Sequence, residues 1–379
     1  MDVPEAPAVP LFDNSHELDA IWDPLMIAVS NVLRCGDYIL GNETEQFERA
    51  LAAWLQCGHA IGVASGSDAL YLALAGNGIG PGDEVVTSPF TFIATVQAIT
   101  RVGARPVFAD IDPHTLNLDE RFVESVITDR TAAVLVVHIF GQPCDMDTFG
   151  TLAGHRGLAL IEDAAQALGS TWRGQRTGTF GDAAAISFFP TKTLGAAGDG
   201  GAVVTNDADI DQKVRRLRIH GALEKYLYTV LGTNSRLDEL QAAILNVKLP
   251  RLDAWIRQRR AIADAYSDAI PRSACRPLDE DERAKGAFSQ YTVRVPDGRD
   301  SLRDYLCQAR IGTAVHYPRP LHLQPALSML GYRQGDFPIA EQACREVLSL
   351  PCYPGLSGSA VSRVAEMIAE WQVNVGGGL

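Results

Sequence analysis

Short apolar runs alternate with helical stretches between about residues 58 and 206, and this alternation restricts the fold more than any other feature. The runs are almost continuously apolar, as in strands that helices cover on both faces. Alternating strands and helices predict an α/β fold with a mostly parallel sheet, which binds ligands beyond the carboxyl ends of its strands. The predicted strands are 60–64, 84–87, 105–108, 132–138, 158–161, 183–187 and 202–204.

The rest of the chain predicts a second, smaller unit. The 379 residues are enough for about two domains. A helical pattern runs from about 237 to 266 and breaks at Pro250, where the missing N–H interrupts a helix. We therefore predict a large α/β domain over residues 1–250, N-terminal segment included, and a smaller α+β domain over residues 251–379. The predicted elements of the second domain are a strand at 290–295 and helices at 302–309 and 339–348.

Charge and cysteine usage exclude several classes of protein. Lysine and arginine number 33 against 46 aspartates and glutamates, a net charge of −13, whereas a nucleic-acid surface needs excess basic residues. The seven cysteines are scattered without a CxxC pair, and the histidines lack metal-binding spacing, so we expect neither disulfides nor a metal. No apolar run approaches the ~20 residues that span a bilayer. The acidic start is unlike a signal peptide, which favours a cytoplasmic protein.

The strongest local signal is an acid, a hydroxyl and an amine that follow predicted strands. Asp163 ends one strand, Ser187 ends a later one, and Lys192 lies in a Gly-rich loop beyond it. Pyridoxal 5′-phosphate (PLP) needs such a set, with a lysine amine for its aldehyde, an acid for its pyridine nitrogen and donors for its phosphate. Each residue also has an ordinary interpretation, since most lysines are surface charges and an aspartate after a strand often caps a helix.

A second signal is the Ser-Gly-Ser turn at 65–67, between a predicted strand and a predicted helix. Amide groups at a helix start point at anions, and Gly66 permits close approach of a phosphate. Taken alone, the turn is more simply a helix cap.

Several motifs in order resemble the DegT/DnrJ/EryC1/StrS sugar aminotransferases, which are PLP enzymes of the aspartate-aminotransferase fold (fold type I). The resemblance extends over most of the chain and is carried by the segments 36–41, 62–70, 91–95, 137–143, 162–166, 187–192, 232–237 and 316–318.

The resemblance implies a role for individual residues. Lys192 is similar to the Schiff-base lysine, and Asp163 to the partner of the pyridine nitrogen. Phe92 resembles the aromatic residue that stacks on the ring, and Gln166 the group near the phenolic oxygen. Asn234 matches a residue that reaches the phosphate of a neighbouring subunit, which implies a homodimer with shared active sites. The phosphate-binding positions are matched by Gly66, Ser67 and Ser187, with serine at 67 where the family usually has threonine.

Within the family, the segments 234–241, 316–318 and 321–325 are similar to aminotransferases that act at C3 of TDP-3-keto-6-deoxyhexoses. This implies a nucleotide-linked keto-deoxysugar as acceptor, L-glutamate as donor, and a role in amino-sugar or antibiotic biosynthesis. His316, Tyr317 and His322 are the implied substrate-binding residues. Arg319 departs from the subgroup, which often has a small apolar residue there, and this leaves the sugar open.

Three alternatives remain at this point. The acceptor could be a cyclitol or another cyclic ketone. A PLP-dependent sugar dehydratase shares the scaffold, but relatives of that kind carry histidine at the lysine position, so Lys192 argues against it. A non-catalytic sensor or regulatory protein would not need Lys192 or Asp163, and both are present.

Overall fold

The elements of the computed structural model, which describes residues 7–376, follow the predicted alternation closely. The strands are β1 (His59–Val63), β2 (Glu84–Thr87), β3 (Arg105–Phe108), β4 (Thr131–Val137), β5 (Ala159–Asp163), β6 (Thr171–Trp172), β7 (Gln175–Arg176), β8 (Ala183–Ser187), β9 (Gly201–Thr205), β10 (Ala222–Glu224), β11 (Leu227–Tyr228), β12 (Arg276–Pro277), β13 (Ala284–Lys285), β14 (Tyr291–Arg294) and β15 (Val347–Leu350).

The helices lie mostly between the strands of the main sheet or after its last strand. They are α1 (Ser15–Asp19), α2 (Trp22–Cys35), α3 (Asn42–Leu55), α4 (Gly66–Gly76), α5 (Ile93–Arg101), α6 (Glu120–Val126), α7 (Met146–Arg156), α8 (Ala208–Leu217), α9 (Glu239–Lys248), α10 (Leu252–Ala269), α11 (Arg299–Gln308), α12 (Pro338–Glu346) and α13 (Gly358–Gly376). No helix within residues 7–376 is both long and apolar enough to cross a membrane.

The main sheet has seven strands in the order β1-β9-β8-β5-β4-β2-β3. Its strands are parallel except for β9, which runs antiparallel to both neighbours. Apolar clusters cover both faces, with α4 and α5 on one side and α3 and α9 on the other. The predicted mostly parallel α/β sheet is confirmed. Crossover connections bring the carboxyl ends of β4, β5 and β8 to the same edge.

The second unit is built on the three-stranded sheet β12-β14-β15 and packs α10, α11 and α13 around its own core. The predicted break at Pro250 lies in a 3₁₀ turn between α9 and α10. Val9 forms a bridge with Ile311 and packs in this second core, so the chain around Val9 lies with the smaller unit. The domain boundary at 250 stays a prediction.

One element differs from its prediction. The helix expected over 339–348 ends at Glu346, and Val347–Leu350 is a strand that pairs antiparallel with β14. All four of its residues are buried. A short apolar run fits either a buried helix end or a buried strand, and the partner strand decides between them.

The start of α3 is held by a residue almost two hundred positions away. The Glu239 carboxylate, 2% exposed, accepts hydrogen bonds from the backbone N–H groups of Gly41 at 2.9 Å, Glu43 at 2.8 Å and Thr44 at 3.0 Å. The first amides of a helix have no partner within the helix, so this carboxylate caps α3 from α9.

We expect Glu239→Ala to lower the free energy of unfolding by about 1–3 kcal/mol, because it leaves buried amides without an acceptor. Urea denaturation followed by circular dichroism measures the change. The control is Glu45→Ala in the same helix, which removes an exposed ion pair with Arg49 and should change stability by less than about 1 kcal/mol. Equal losses in the two variants would contradict the capping role.

Candidate active site

The chain just beyond β1, β4, β5 and β8 borders a cavity of about 450 Å³. This is the position expected for a ligand site in a parallel sheet. Most of the predicted site residues border it together. Among the cavity residues are Ser65, Gly66, Ser67, Thr91, Phe92, His138, Asp163, Gln166, Ser187, Lys192, Gln290, His316 and Tyr317.

Asp163 is the last residue of β5 and is 6% exposed. The Thr95 hydroxyl donates to its Oδ2 at 2.8 Å, and the Ala165 N–H donates to its Oδ1 at 3.2 Å. Burial raises the pKa of Asp163, while these hydrogen bonds and the charge of Lys192 oppose the rise. The carboxylate is thus desolvated but has a donor on each oxygen.

Lys192 lies in the loop that follows β8 and borders the same cavity. Burial lowers the pKa of its ammonium group, and the charge of Asp163 opposes that change. The two groups therefore influence each other, although they form no direct ion pair. A lowered pKa increases the fraction of neutral amine, which is the form that attacks a carbonyl carbon.

The loop that carries Lys192 is held in place by residues outside it. The Thr193 hydroxyl donates to the Leu168 carbonyl at 3.0 Å. Two residues of α9 also hold the loop: the buried Lys248 ammonium donates to the Gly195 carbonyl at 2.7 Å, and the Gln241 side-chain oxygen accepts from the Ala197 N–H at 2.9 Å. Sequence reasoning missed both α9 residues, because no local pattern marks contacts about fifty positions apart.

The residues predicted to bind phosphate, Gly66, Ser67 and Ser187, meet at the start of α4. Ser65 caps this helix by accepting from the Asp68 N–H at 3.1 Å. The N–H groups of Gly66 and Ser67 come before the first intrahelical hydrogen bond, so they are available to an anion. A Cβ atom at position 66 would lie 2.6 Å from the Ser187 Cβ, so only glycine lets these segments approach so closely. The turn is therefore both a helix cap and a possible anion cradle.

Gln166 and Tyr317 form one hydrogen-bonded unit in the cavity wall. The Gln166 side-chain oxygen accepts from the Phe140 N–H at 2.6 Å, and its amide nitrogen donates to the Tyr317 hydroxyl at 3.1 Å. Burial raises the pKa of Tyr317 well above its usual range, so its hydroxyl keeps its proton. The Phe92 ring lies 6.1 Å from the Tyr317 ring and is 54% exposed. A large exposed aromatic ring beside a cavity is available for ligand contact.

The two histidines predicted to bind substrate lie in different places. His316 borders the cavity, and its Nδ1 is 3.1 Å from the Ser349 hydroxyl. Burial, and then the charge of Lys192, lowers the pKa of His316. His322 is not among the cavity residues. It is 3% exposed, and its Nε2 is 3.1 Å from Glu341, so it packs inside the protein.

Asn234 does not border the cavity of its own chain. It lies on the surface and pairs with Ile219 through an isolated β-bridge. Its exposed side chain is therefore accessible to a second molecule.

Sequence reasoning missed a fully buried pair, His138 and Glu162, at the wall of the cavity. The His138 Nδ1 accepts from the Cys144 N–H at 3.0 Å, so its proton is on Nε2, which lies 3.0 Å from the Glu162 carboxylate. Burial would raise the pKa of Glu162, but hydrogen bonds from His138 and from backbone amides outweigh it and lower the pKa. The alternation along β5 could have indicated that Glu162 needs a buried partner. Neighbouring residues on a strand face opposite sides of the sheet, so Glu162 faces away from Asp163 and is buried on the other side.

Comparison with known proteins identifies the family of the chain. The family model of the DegT/DnrJ/EryC1/StrS aminotransferases matches residues 23–369. A pleiotropic regulatory protein of Geobacillus stearothermophilus is 46% identical over 367 residues, 96% of this chain and 98% of the relative. The dTDP-3-amino-3,4,6-trideoxy-α-D-glucose transaminase of Streptomyces venezuelae is 43% identical over 375 residues, 98% of each chain.

The fold agrees as well. The crystal structure of DesV from S. venezuelae superposes with a TM-score of 0.93 and 42% identity, covering 97% of this chain and 99% of that one. The chain therefore belongs to the DegT/DnrJ/EryC1/StrS aminotransferase family.

Proposed function

We propose that this protein is a PLP-dependent aminotransferase that moves an amino group from L-glutamate to C3 of a nucleotide-linked keto-deoxysugar. The observation that carries the proposal is that the Lys192 amine and the Asp163 carboxylate border one cavity and interact through charge. Family membership supports the reaction class, and the S. venezuelae relative supports the sugar class.

The cavity residues fit PLP. A planar, anionic, aldehyde-bearing molecule needs an amine, an acid, an anion cradle and an aromatic face, and this cavity contains all four. A Cβ at position 66 would collide with Ser187, so glycine lets the Ser187 hydroxyl lie close to the amides at the start of α4. When bound, PLP supplies an aldehyde carbon and a ring that stores the electron pair released when a carbon-bound proton leaves the donor.

Two residues move or hold protons in the proposed reaction. The Asp163 carboxylate binds the pyridine nitrogen and keeps it protonated, because an ionised acid in a desolvated site stabilises the neighbouring positive charge. The Lys192 amine would take the proton from the α-carbon of the donor as a general base. It would then return this proton to the former aldehyde carbon of the cofactor as a general acid. Burial suits both tasks, since it lowers the pKa of Lys192 towards neutral pH.

Other cavity residues bind and orient. Gly66 and Ser67 donate backbone N–H groups to the phosphate, and Ser187 adds its hydroxyl. Phe92 packs on one face of the ring. Gln166 faces the phenolic oxygen, since one proton of its amide nitrogen is free after the bond to Tyr317. The residues proposed to contact substrate are His316 and Tyr317. The prediction for His322 is withdrawn, because this residue is buried away from the cavity.

Two alternative functions do not account for the residues at the cavity. A dehydratase would not need the Lys192 amine. A purely regulatory role, suggested by the name of the G. stearothermophilus relative, would not need Lys192 and Asp163 in one desolvated cavity. A cyclitol or other cyclic ketone remains the main rival acceptor, because it uses the same chemistry. A cytoplasmic location stays a prediction.

We also propose a homodimer in which Asn234 completes the phosphate site of the partner subunit. Lys192 is the one lysine or arginine among the cavity residues, yet the proposed cofactor and acceptor both carry phosphate charges. A second subunit can supply the missing donors. The helix α2 exposes apolar side chains that a partner could cover, with Trp22 at 53%, Met26 at 43% and Ile27 at 62% exposure.

Purified protein should be yellow with bound PLP, and borohydride should fix the cofactor to Lys192, as peptide mass mapping would show. Lys192→Ala should lower kcat by at least about a hundredfold, because it removes the proton-transfer group. The exposed Lys213 provides the control, and Lys213→Ala should keep normal turnover. Label on any other peptide, or normal turnover by Lys192→Ala, would refute the assignment.

Mixing two impaired variants tests the shared site. Lys192→Ala and Asn234→Ala subunits, mixed and allowed to exchange at limiting PLP, should regain up to about a quarter of wild-type activity, because half the dimers contain one complete site. Lys192→Ala mixed with itself is the control. The shared site is wrong if the mixture does no better than the sum of its parts.

A panel of acceptors identifies the substrate. TDP-, UDP- and GDP-linked 3-keto sugars and cyclitol ketones, each offered with glutamate, should give an aminated product by mass only for the nucleotide-linked sugars. Preferential amination of a cyclitol ketone would replace the proposed acceptor and keep the reaction class.

A further inference from the structure

Thr95 contacts the proposed catalytic carboxylate directly, although the resemblance in segment 91–95 implied no role for it. It lies in the first turn of α5, three residues after Phe92, and is completely buried. Its hydroxyl donates to the Asp163 Oδ2 at 2.8 Å. One short segment thus provides both the aromatic ring at the cavity and a hydrogen-bond donor to the acid.

A second hydroxyl extends this contact. The Thr91 Oγ1 lies 2.9 Å from the Thr95 Oγ1, and Thr91 itself borders the cavity. A threonine hydroxyl has one proton, and that of Thr95 is given to Asp163. The Thr91 hydroxyl must therefore donate to Thr95. The two hydroxyls form a chain directed towards the carboxylate, in which each bond strengthens the next.

The other groups that face Asp163 do not replace this chain. Lys192, His138 and Tyr317 interact with Asp163 through charge. Within residues 7–376, the only other hydrogen bond to the carboxylate comes from the Ala165 N–H, at the longer distance of 3.2 Å. The Thr95 hydroxyl is therefore the nearest side-chain donor to a desolvated acid.

We propose that Thr95, supported by Thr91, is a positioning residue that keeps Asp163 ionised and directed towards the pyridine nitrogen of PLP. The proposal rests on the proposed function, because it assigns the role of Thr95 through Asp163. A carboxylate that loses a donor becomes a stronger base. Without the Thr95 hydroxyl, the proton shared with the ring nitrogen moves towards Asp163, and the ring becomes a poorer electron store.

The test is the protonation state of the ring nitrogen in the holoenzyme. We compare wild type with Thr95→Val, which keeps the shape but removes the hydroxyl, Thr95→Ser, which keeps the hydroxyl, and Thr100→Val. Thr100 is a control in the same helix, because its hydroxyl is exposed and donates only to backbone carbonyls of α5. Each protein is loaded with PLP labelled with ¹⁵N in the ring and examined by ¹⁵N NMR.

For Thr95→Val, we expect the ring resonance to move towards that of the unprotonated ring. We also expect kcat to fall about tenfold to a hundredfold with little change in the KM for glutamate. Thr95→Ser and Thr100→Val should resemble wild type. Thr91→Val should shift the resonance in the same direction but less, and this variant decides the matter if Thr95→Val does not fold.

A folded, PLP-loaded Thr95→Val protein with the wild-type resonance and kcat would overturn the inference, as would a Thr91→Val protein without any shift where Thr95→Val fails to fold. Wild-type protein that binds no PLP would instead refute the proposed function. The two failures are therefore distinguishable.

Discussion

The desolvated Asp163 carboxylate, at the carboxyl end of β5 and beside the Lys192 amine, is the constraint on which the rest of the site depends. Burial alone raises the pKa of this acid and lowers that of the amine, which favours the neutral form of each. The parallel sheet brings the ends of β5 and β8 together, so that the charge of each group opposes the pKa shift that burial causes in the other. The cavity is therefore a consequence of strand order as much as of the residues within it.

Support for this pair comes from elements that are distant in sequence. Thr95 at the start of α5 holds the carboxylate, while α9 holds the lysine loop through Gln241 and Lys248. The same α9 caps α3 through Glu239. Tertiary contacts of this kind hold loops whose sequences alone would not fix their shape. The proposed catalytic groups are thus positioned by rigid helices around a loop.

Local patterns predicted the strands well, because continuous apolar runs between turn signals have few alternative structures. The grouping of Asp163, Ser187 and Lys192 also followed from the sequence, since strand ends of a parallel sheet share one edge. Contacts between segments distant in sequence could not be predicted from local patterns. The burial of His322 against Glu341 and the pairing of Val347–Leu350 with β14 both depend on which distant segment lies alongside.

Burial around Lys192 also determines how the protein meets other carbonyl compounds. Because burial lowers the pKa of Lys192, its neutral fraction exceeds that of a surface lysine, and the neutral amine is the form that reacts with small aldehydes. In protein without cofactor, Lys192 is therefore more reactive towards small aldehydes than an exposed lysine. An adequate supply of cofactor protects this enzyme chemically as well as activating it.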